Sequence, residues 1–429
     1  MQLRLHYKLT LAVTAACAVA AGLILALVST AGAKLTTTTF TWWTSSDKPA
    51  EISAIDAAFH KAYPRYIARG QYIAQSDQYL PKVIAAIKDG SQPTVLFDQS
   101  PSDLPELAKS GKLIALNGKV KADTKALYPG LRAATFYRGK QLGLAVAGVG
   151  DIALFYNKAD FAAAGIKRPP ATWTQVAADA AKLTATSGGK YAGFYVPTGD
   201  AEWISYDWEP MLWGDGGSLL NAAQTKATFN SAAGVRALTT WVKLVKSGSA
   251  PKQSYAADGN FDGPTAFSSG AVAMITDGVW LEGETPSTIK YGVAPYPAGT
   301  KGQSTNIGIG VMALLKTSAS QDAGGLNFIN FVGSTKEGAF LASQSGGLPS
   351  TAAQLRQPLV RHEIGKTPFY NVFAKDLKYG KVRPITPAYN TVSQYLWTAI
   401  NAAVTNKESP KTALDKAAVQ ADRALKAIG

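Results

Sequence analysis

Asp98, Asp151, Asp207 and Glu209 are carboxylic acids of this chain that could be brought together for acid–base chemistry. Two carboxyl groups that cleave a glycosidic bond must face each other across it. No local pattern pairs any two of these four, and the sequence leaves such a pair open. The three histidines, His6, His60 and His362, do not stand at metal-ligand spacing. Cys17 is the single cysteine and sits near the N-terminus. The rest of the chain therefore has neither a structural disulfide nor a thiol nucleophile. No G-x-S-x-G elbow presents a serine. GVGDIA (148–153) matches G-x-G-x-x-A, but a dinucleotide site needs a helix directly after the glycines. The following IALFY reads as strand. What remains is aromatic, with 9 Trp and 18 Tyr, and these serve either a core or a binding surface.

The chain has 429 residues, 46% of them hydrophobic and 17% charged, enough for two domains. Its formal net charge of +14 is spread along the sequence rather than gathered in a basic block. Diffuse charge steers anions weakly. Without basic and aromatic residues interleaved, it does not describe a nucleic-acid surface. At the N-terminus, Arg4 and Lys8 precede an apolar run from Leu9 to about Val28, and Ala31-Gly32-Ala33 follows. That order reads as an export signal cleaved before Lys34. The run also approaches the roughly 20 residues that span a bilayer, so an uncleaved anchor stays open. A lipoprotein would need cleavage at TAAC, before Cys17, with Thr14 where a leucine is usual.

The elements that must position any site alternate. TFTWW (39–43) reads as a strand, followed by a helix from Pro49 to about Ala62 with Ile52, Ile55 and Phe59 on one face. A second helix, Tyr79 to Lys88, carries Leu80, Val83, Ile84 and Ile87, and TVLF (94–97) is a short strand ending at Asp98. IALFY (152–156) is a buried strand, and KADFAAAG a brief helix closed by Gly165. Thr172 with Gln175 forms a capping box for a helix carrying Val176, Ala180 and Leu183. A helix from about Ser231 to Lys246, a strand at AVAMIT (271–276) and a helical C-terminus from about Val392 complete an α/β pattern. Trp173, Trp241 and Trp397 lie in helical patterns and read as core.

LFYNKADFAAAGIKRPPATWTQV (154–176) resembles the most recognisable segment of extracellular solute-binding proteins of ABC importers, in the carbohydrate-binding group related to maltose-binding protein. Further segments match in the same order: FTWWTSSDKPAEISAIDAAFHKAYP, YLPKVIAAIKDG with PTVLFD, WGDGGSLLN, FSSGAVAMITDGVW, GLNFINFVGSTKEG, GGLPS and VRPITPAY. The resemblance covers nearly everything after residue 35. It implies an α/β, two-lobed fold of the periplasmic-binding-protein type II, with ligand in the cleft between lobes joined by a multi-strand hinge. Residues 1–33 would be the signal or anchor, 34–149 plus 296–334 the first lobe, and 150–295 plus 335–429 the second. The chain would cross near 148–151, 295–298 and 334–336, with Gly148 and Gly150 suited to a hinge.

The resemblance further implies a protein without catalysis or cofactor, acting as a monomer outside the cytoplasm. It would deliver a sugar or small oligosaccharide to a permease and ATPase carried on separate chains. A secreted carbohydrate-active enzyme and a sugar-sensing ectodomain are the alternatives. A pyranose presents an apolar C–H face to aromatic rings and a hydroxyl rim to carboxylates, amides and guanidinium groups. An α/β sheet binds ligand beyond the C-terminal ends of its strands. With that chemistry, the resemblance implies as candidate contacts Trp42, Trp43 and Asp47 after the first strand, and Asp98 and Gln99 after the next. Asp151 at the first crossing, Tyr206 and Trp208 before WGDGG, Trp280 in DGVW, and Arg383 and Tyr389 near the C-terminus complete the set. Trp280 is the expected stacking residue. Side chains alternate along a strand, so one of Trp42 and Trp43 must point inward. Asp47 could instead favour the following helix N-terminus, Arg383 could be a surface charge, and Trp280 could be core.

Overall fold

The computed structural model describes residues 36–45, 49–73, 79–145, 150–199, 202–251, 263–281, 285, 288–345, 347–366 and 369–428. The expected signal or anchor segment and Asp47 lie outside them. No helix among the described residues is long and apolar enough to cross a membrane.

Two larger sheets organise the described residues, beside a two-stranded one of Phe136–Tyr137 and Lys140–Gln141. In the first, the strand order is Tyr66–Tyr72, Thr38–Thr44, Val95–Gln99, Val311–Leu315, Leu113–Ile114, with Leu144–Ala145 also paired to Val311–Leu315. Thr38–Thr44 runs parallel to both neighbours, and Val311–Leu315 returns antiparallel. In the second, the order is Tyr291–Ala294, Gly150–Asn157, Thr305–Gly308, Gly380–Lys381, and Met274–Gly278 also pairs with Gly150–Asn157.

Alternation decides the first strand: Phe40, Trp42 and Thr44 are buried, while Thr41 and Trp43 are only partly covered. Helix Pro49–Ala62 lays Ile52, Ile55 and Phe59 on that sheet, as the spacing predicts. Phe59, Phe40, Trp42, Phe97 and Phe328 then share one core. Helix Tyr79–Asp89 is turned slightly from expectation. It buries Tyr79, Val83, Ala86 and Ile87, leaving Leu80 and Ile84 half-buried. Around the second sheet, Thr172 caps helix Trp173–Ser187 by accepting from the Gln175 amide at 3.3 Å. The Gln175 side chain turns back to the Ala171 amide rather than to the cap residue itself. Trp173 and Trp241 are core and Trp397 packs against it. The C-terminal helices Tyr389–Val404 and Pro410–Ala427 complete that core.

The chain leaves the first sheet after Ala145 and enters the second at Gly150. The other two crossings differ from expectation. Residues 295–298 stay with the second sheet: Tyr296 is buried in its core, and Ala298 bridges to Thr172. The strand Thr305–Gly308 pairs Ile307 with Asp151 and Gly308 with Gly150, so the return to the first sheet falls at Ile309 and Gly310. The last passage also comes later than 334–336. Leu341 still packs in the first-sheet core, whereas Leu348 packs with Phe155 and Phe373 beside the second.

Candidate functional site

Helix Glu202–Gly214, EWISYDWEPMLWG, is buried on almost every face. Pro210 stands inside it. Proline has no amide hydrogen, so the carbonyl four residues earlier loses its helical donor. That carbonyl belongs to Tyr206, and Asn306 fills the vacancy by donating from Nδ2 at 3.0 Å. The same Nδ2 reaches Glu209 Oε2 at 2.8 Å. The next carbonyl, on Asp207, accepts from Tyr296 Oη at 2.6 Å. The broken helix is thus pinned to Thr305–Gly308, the strand that pairs with Gly150 and Asp151 where the chain passes between the sheets.

Trp203 and Tyr206 lie three residues apart and share a helix face. Their rings stack with centroids 5.3 Å apart and planes at 26°. Trp280 meets Trp203 edge-on at 6.1 Å and 71°. The Trp280 indole lies against Gly150 and Gly278: a Cβ on either glycine would come within 2.5 Å or 2.2 Å of the ring. Both glycines are therefore required by that close approach. The three rings form one aromatic group beside the sheet-to-sheet passage, with Trp280 only partly buried.

A polar row borders the rings. Arg383 donates to Glu202 Oε1 at 3.0 Å. Its guanidinium lies 5.2 Å from the Tyr206 ring centroid and 5.7 Å from that of Tyr389. Tyr389 Oη donates to Glu202 Oε1 at 2.6 Å and also lies 3.3 Å from Glu209 Oε1. Ser393 donates to the other Glu202 oxygen. Burial pushes Glu209 up to about 8, with Glu202 adding to the rise and Arg383, Asn306 and Tyr389 opposing it. Glu209 is therefore largely protonated at neutral pH. Burial also works against the Arg383 charge, but Tyr389, Glu202, Tyr206 and Glu209 more than offset it and raise its pKa.

The first lobe answers across the cleft with the loop after Val95–Gln99. Asp103 accepts from Gln99 Nε2 at 2.6 Å and from Asn390 Nδ2 at 2.9 Å, and Arg383 reaches Ser100 at 3.5 Å. Burial lifts Asp103 to about 6, with Glu202 adding to the rise against the pull of Asn390, Arg383 and Gln99. Asp98, just before, holds the left-handed backbone conformation at φ 59°, which non-glycine residues adopt sparingly. Gly310 makes room for it, since a Cβ there would fall 1.6 Å from Asp98 Oδ1.

Arg383, Tyr389 and Tyr206 thus come together, with Trp280 joined to Tyr206 through Trp203 and with Gln99 opposite. Asp98 lies at the same strand end. Trp43 lies on the other face of the first sheet, partly buried against the cluster of Tyr79, Val83 and Leu96, and donates to Gln71 at 2.8 Å. Asp151 is fully buried at the passage, and both its oxygens lack a protein hydrogen-bond partner among the described residues. Burial, reinforced by Asp376, holds its carboxyl far above the ordinary range. Two expectations are corrected. Trp42 is fully buried beneath helix Pro49–Ala62, with Nε1 donating to Asp56 at 2.7 Å, and has no face toward the cleft. Trp208 is likewise fully buried, in the second-lobe core against the start of helix Ala232–Lys246. Sequence reading missed Glu202, Trp203, Asp103 and Asn390. The Trp203–Tyr206 spacing was the one signal available, and the charged pair had none. Among the described residues, open hollows also lie away from this site, one beside Lys125, Pro129 and Arg132 and one beside Pro264 and Ser268. In the cleft itself the opposing walls touch through Asp103 and Asn390. Among the described residues no group of acidic residues, histidine or cysteine could hold a metal.

The family model described as bacterial extracellular solute-binding protein matches residues 42–339. The chain belongs to this family. It is a two-lobed solute-binding protein of ABC transporters, a class that binds solutes for membrane permeases and is not catalytic. The chain is 27% identical over 299 residues to a binding protein of Brucella abortus (strain 2308), a match covering 67% of this chain and 69% of the relative. It is 24% identical to the sn-glycerol-3-phosphate-binding periplasmic protein of Salmonella paratyphi A, covering 95% and 97%. The GacH receptor of Streptomyces glaucescens, solved unliganded and with acarbose, superposes with a TM-score of 0.80 at 25% identity, covering 92% of this chain and 100% of that one.

Proposed function

We propose that the protein captures a sugar or small oligosaccharide between its lobes and hands it to a membrane permease. The observation that carries this reading is the Trp203–Tyr206–Trp280 group beside the Arg383–Glu202–Tyr389 row. Apolar rings next to bidentate polar groups suit a ring with an apolar face and a hydroxyl rim. In this reading Trp280, Trp203 and Tyr206 supply the aromatic wall, and Glu202, Arg383 and Tyr389 the polar one. Asp98, Gln99 and Asp103 close from the opposite lobe. Asp47 and Trp43 join them on the strength of the resemblance alone. Among the described residues, the first lobe comprises 36–145 plus about 309–345, and the second about 150–308 plus those from 347 on. The N-terminal apolar run followed by Ala31-Gly32-Ala33 supports export, with the protein held or released outside the membrane.

A second reading takes glycerol phosphate as the ligand. It is favoured by the near full-length similarity to glycerol-3-phosphate-binding proteins and by the guanidinium of Arg383 in the cleft. A thermal-shift screen of the mature protein against monosaccharides, oligosaccharides, polyols and glycerol phosphate separates the two. A ligand present at 100 times its dissociation constant adds about 2.7 kcal/mol of stability. Stabilisation by a neutral sugar is expected. Stabilisation by glycerol phosphate alone would replace the first reading with the second, and a protein indifferent to the whole panel would remove both.

A further inference from the structure

The charge of the cleft runs opposite to the charge of the protein. The chain carries a formal +14, which draws anions toward it. The wall between the lobes is built instead from the carboxylates of Asp103 and Glu202 around Arg383, with the largely protonated Glu209 beside them. This is the cation that acts on both Asp103 and Glu209. An arginine recognises phosphate or carboxylate through its fork of N–H donors, and here the fork is engaged. Nη1 is held by Glu202 at 3.0 Å, Nη2 faces Ser100, and the tyrosine rings of Tyr206 and Tyr389 lie near the guanidinium. Glu202 is itself fixed by donors from Tyr389 and Ser393, so two side chains hold it against the arginine. A phosphate would have to displace that carboxylate and then sit beside Asp103.

We infer that Glu202 sets the charge selectivity of this cleft: by occupying Arg383 it leaves a site for uncharged polyols and excludes phosphate-bearing ones. The inference rests on the reading that ligand is captured here, and it names the ligand class within that reading. The hydroxyl rim of a neutral sugar can share the Glu202 oxygens and the remaining Arg383 hydrogens without breaking the pair. A dianion cannot. The basic surface then raises the local concentration of anions that the cleft itself refuses, so selectivity is decided at one residue.

Isothermal titration of the full mature chain with glycerol 3-phosphate, and separately with inorganic phosphate, tests this in the wild type, Glu202→Gln and Glu202→Ser. Both variants should bind glycerol 3-phosphate at least tenfold more tightly than the wild type. A fourth protein, Glu202→Gln combined with Arg383→Gln, should lose the gain. Two variants of different size guard against one failing to fold, and unliganded melting confirms that each is folded. A wild type that binds glycerol 3-phosphate as tightly as the variants overturns the inference. So does a pair of folded variants that gain nothing. Neutral sugars titrated alongside keep the two readings apart. If they bind the wild type while the variants gain no phosphate affinity, the role of Glu202 falls and sugar capture stands. If no neutral sugar binds and the wild type takes glycerol 3-phosphate, both fall together.

Discussion

Trp42 and Trp280 each stand near the end of a strand, one in each sheet, and each ring lies over a glycine. Gly70 lies under Trp42 as Gly150 and Gly278 lie under Trp280. They differ in what covers the other side. Trp42 is closed in by Phe97 and Phe328 at 5.1 and 5.2 Å, and Asp56 takes its N–H. Trp280 has Trp203 at its edge and stays partly exposed. Residue type and strand-end position are therefore insufficient to make a binding aromatic. The helix that follows the first strand converts one tryptophan into core, whereas the second sheet leaves the other beside the passage between lobes.

The largest effect expected from this contrast is at Trp42. Removing a fully buried indole forfeits its transfer energy and leaves a cavity, at a cost of about 3–5 kcal/mol. Calorimetry of Trp42→Ala should show that loss, while ligand affinity of the folded fraction stays near the wild-type value. Intact stability with lost binding would return Trp42 to the ligand site.

A smaller effect sharpens the account of the polar row. Glu209 and Asp103 are held near 8 and 6 in the folded protein, above the roughly 4.3 and 3.9 of free carboxyls. A folded state that binds protons more readily than the unfolded one loses stability as pH rises through the interval between those values. These two groups therefore stabilise the protein most in acid, and the Glu209 contribution fades up to about pH 8. Glu209→Gln keeps an oxygen for Asn306 and a hydrogen for the Tyr389 hydroxyl without the charge. Urea midpoints between pH 5 and 8 should fall less steeply in the variant. An unchanged slope would mean that Glu209 ionises freely in the folded state.

The α/β layering was legible because burial follows the periods of strand and helix. Spacing alone puts Ile52, Ile55 and Phe59 on one buried face and requires one of Trp42 and Trp43 to point inward, and the structure makes it Trp42. The second passage between the sheets differs from expectation for a physical reason. IGIGVMALL (307–315) reads as one apolar stretch, yet it is divided at Ile309 and Gly310 between two sheets, and only pairing partners far along the chain reveal it. Trp208 was misassigned because its helix is buried all round, so no periodic face distinguishes a core ring from a cleft ring. Glu202 and Asp103 had no local signal at all. Their meaning comes from Arg383 and Asn390, which lie 181 and 287 residues away in sequence.

The most direct test of the central claim is a paired measurement on Trp280→Ala: affinity for a neutral sugar found by the thermal-shift screen, and melting of the unliganded protein. A buried aromatic anchor lost from a binding site costs about 2 kcal/mol or more, roughly 30-fold in affinity at about 1.4 kcal/mol per tenfold. The account predicts that loss with little change in unliganded melting, and partial recovery in Trp280→Phe. A variant that melts far earlier while its folded fraction binds sugar as well as the wild type would contradict it, placing Trp280 with Trp42 in the core.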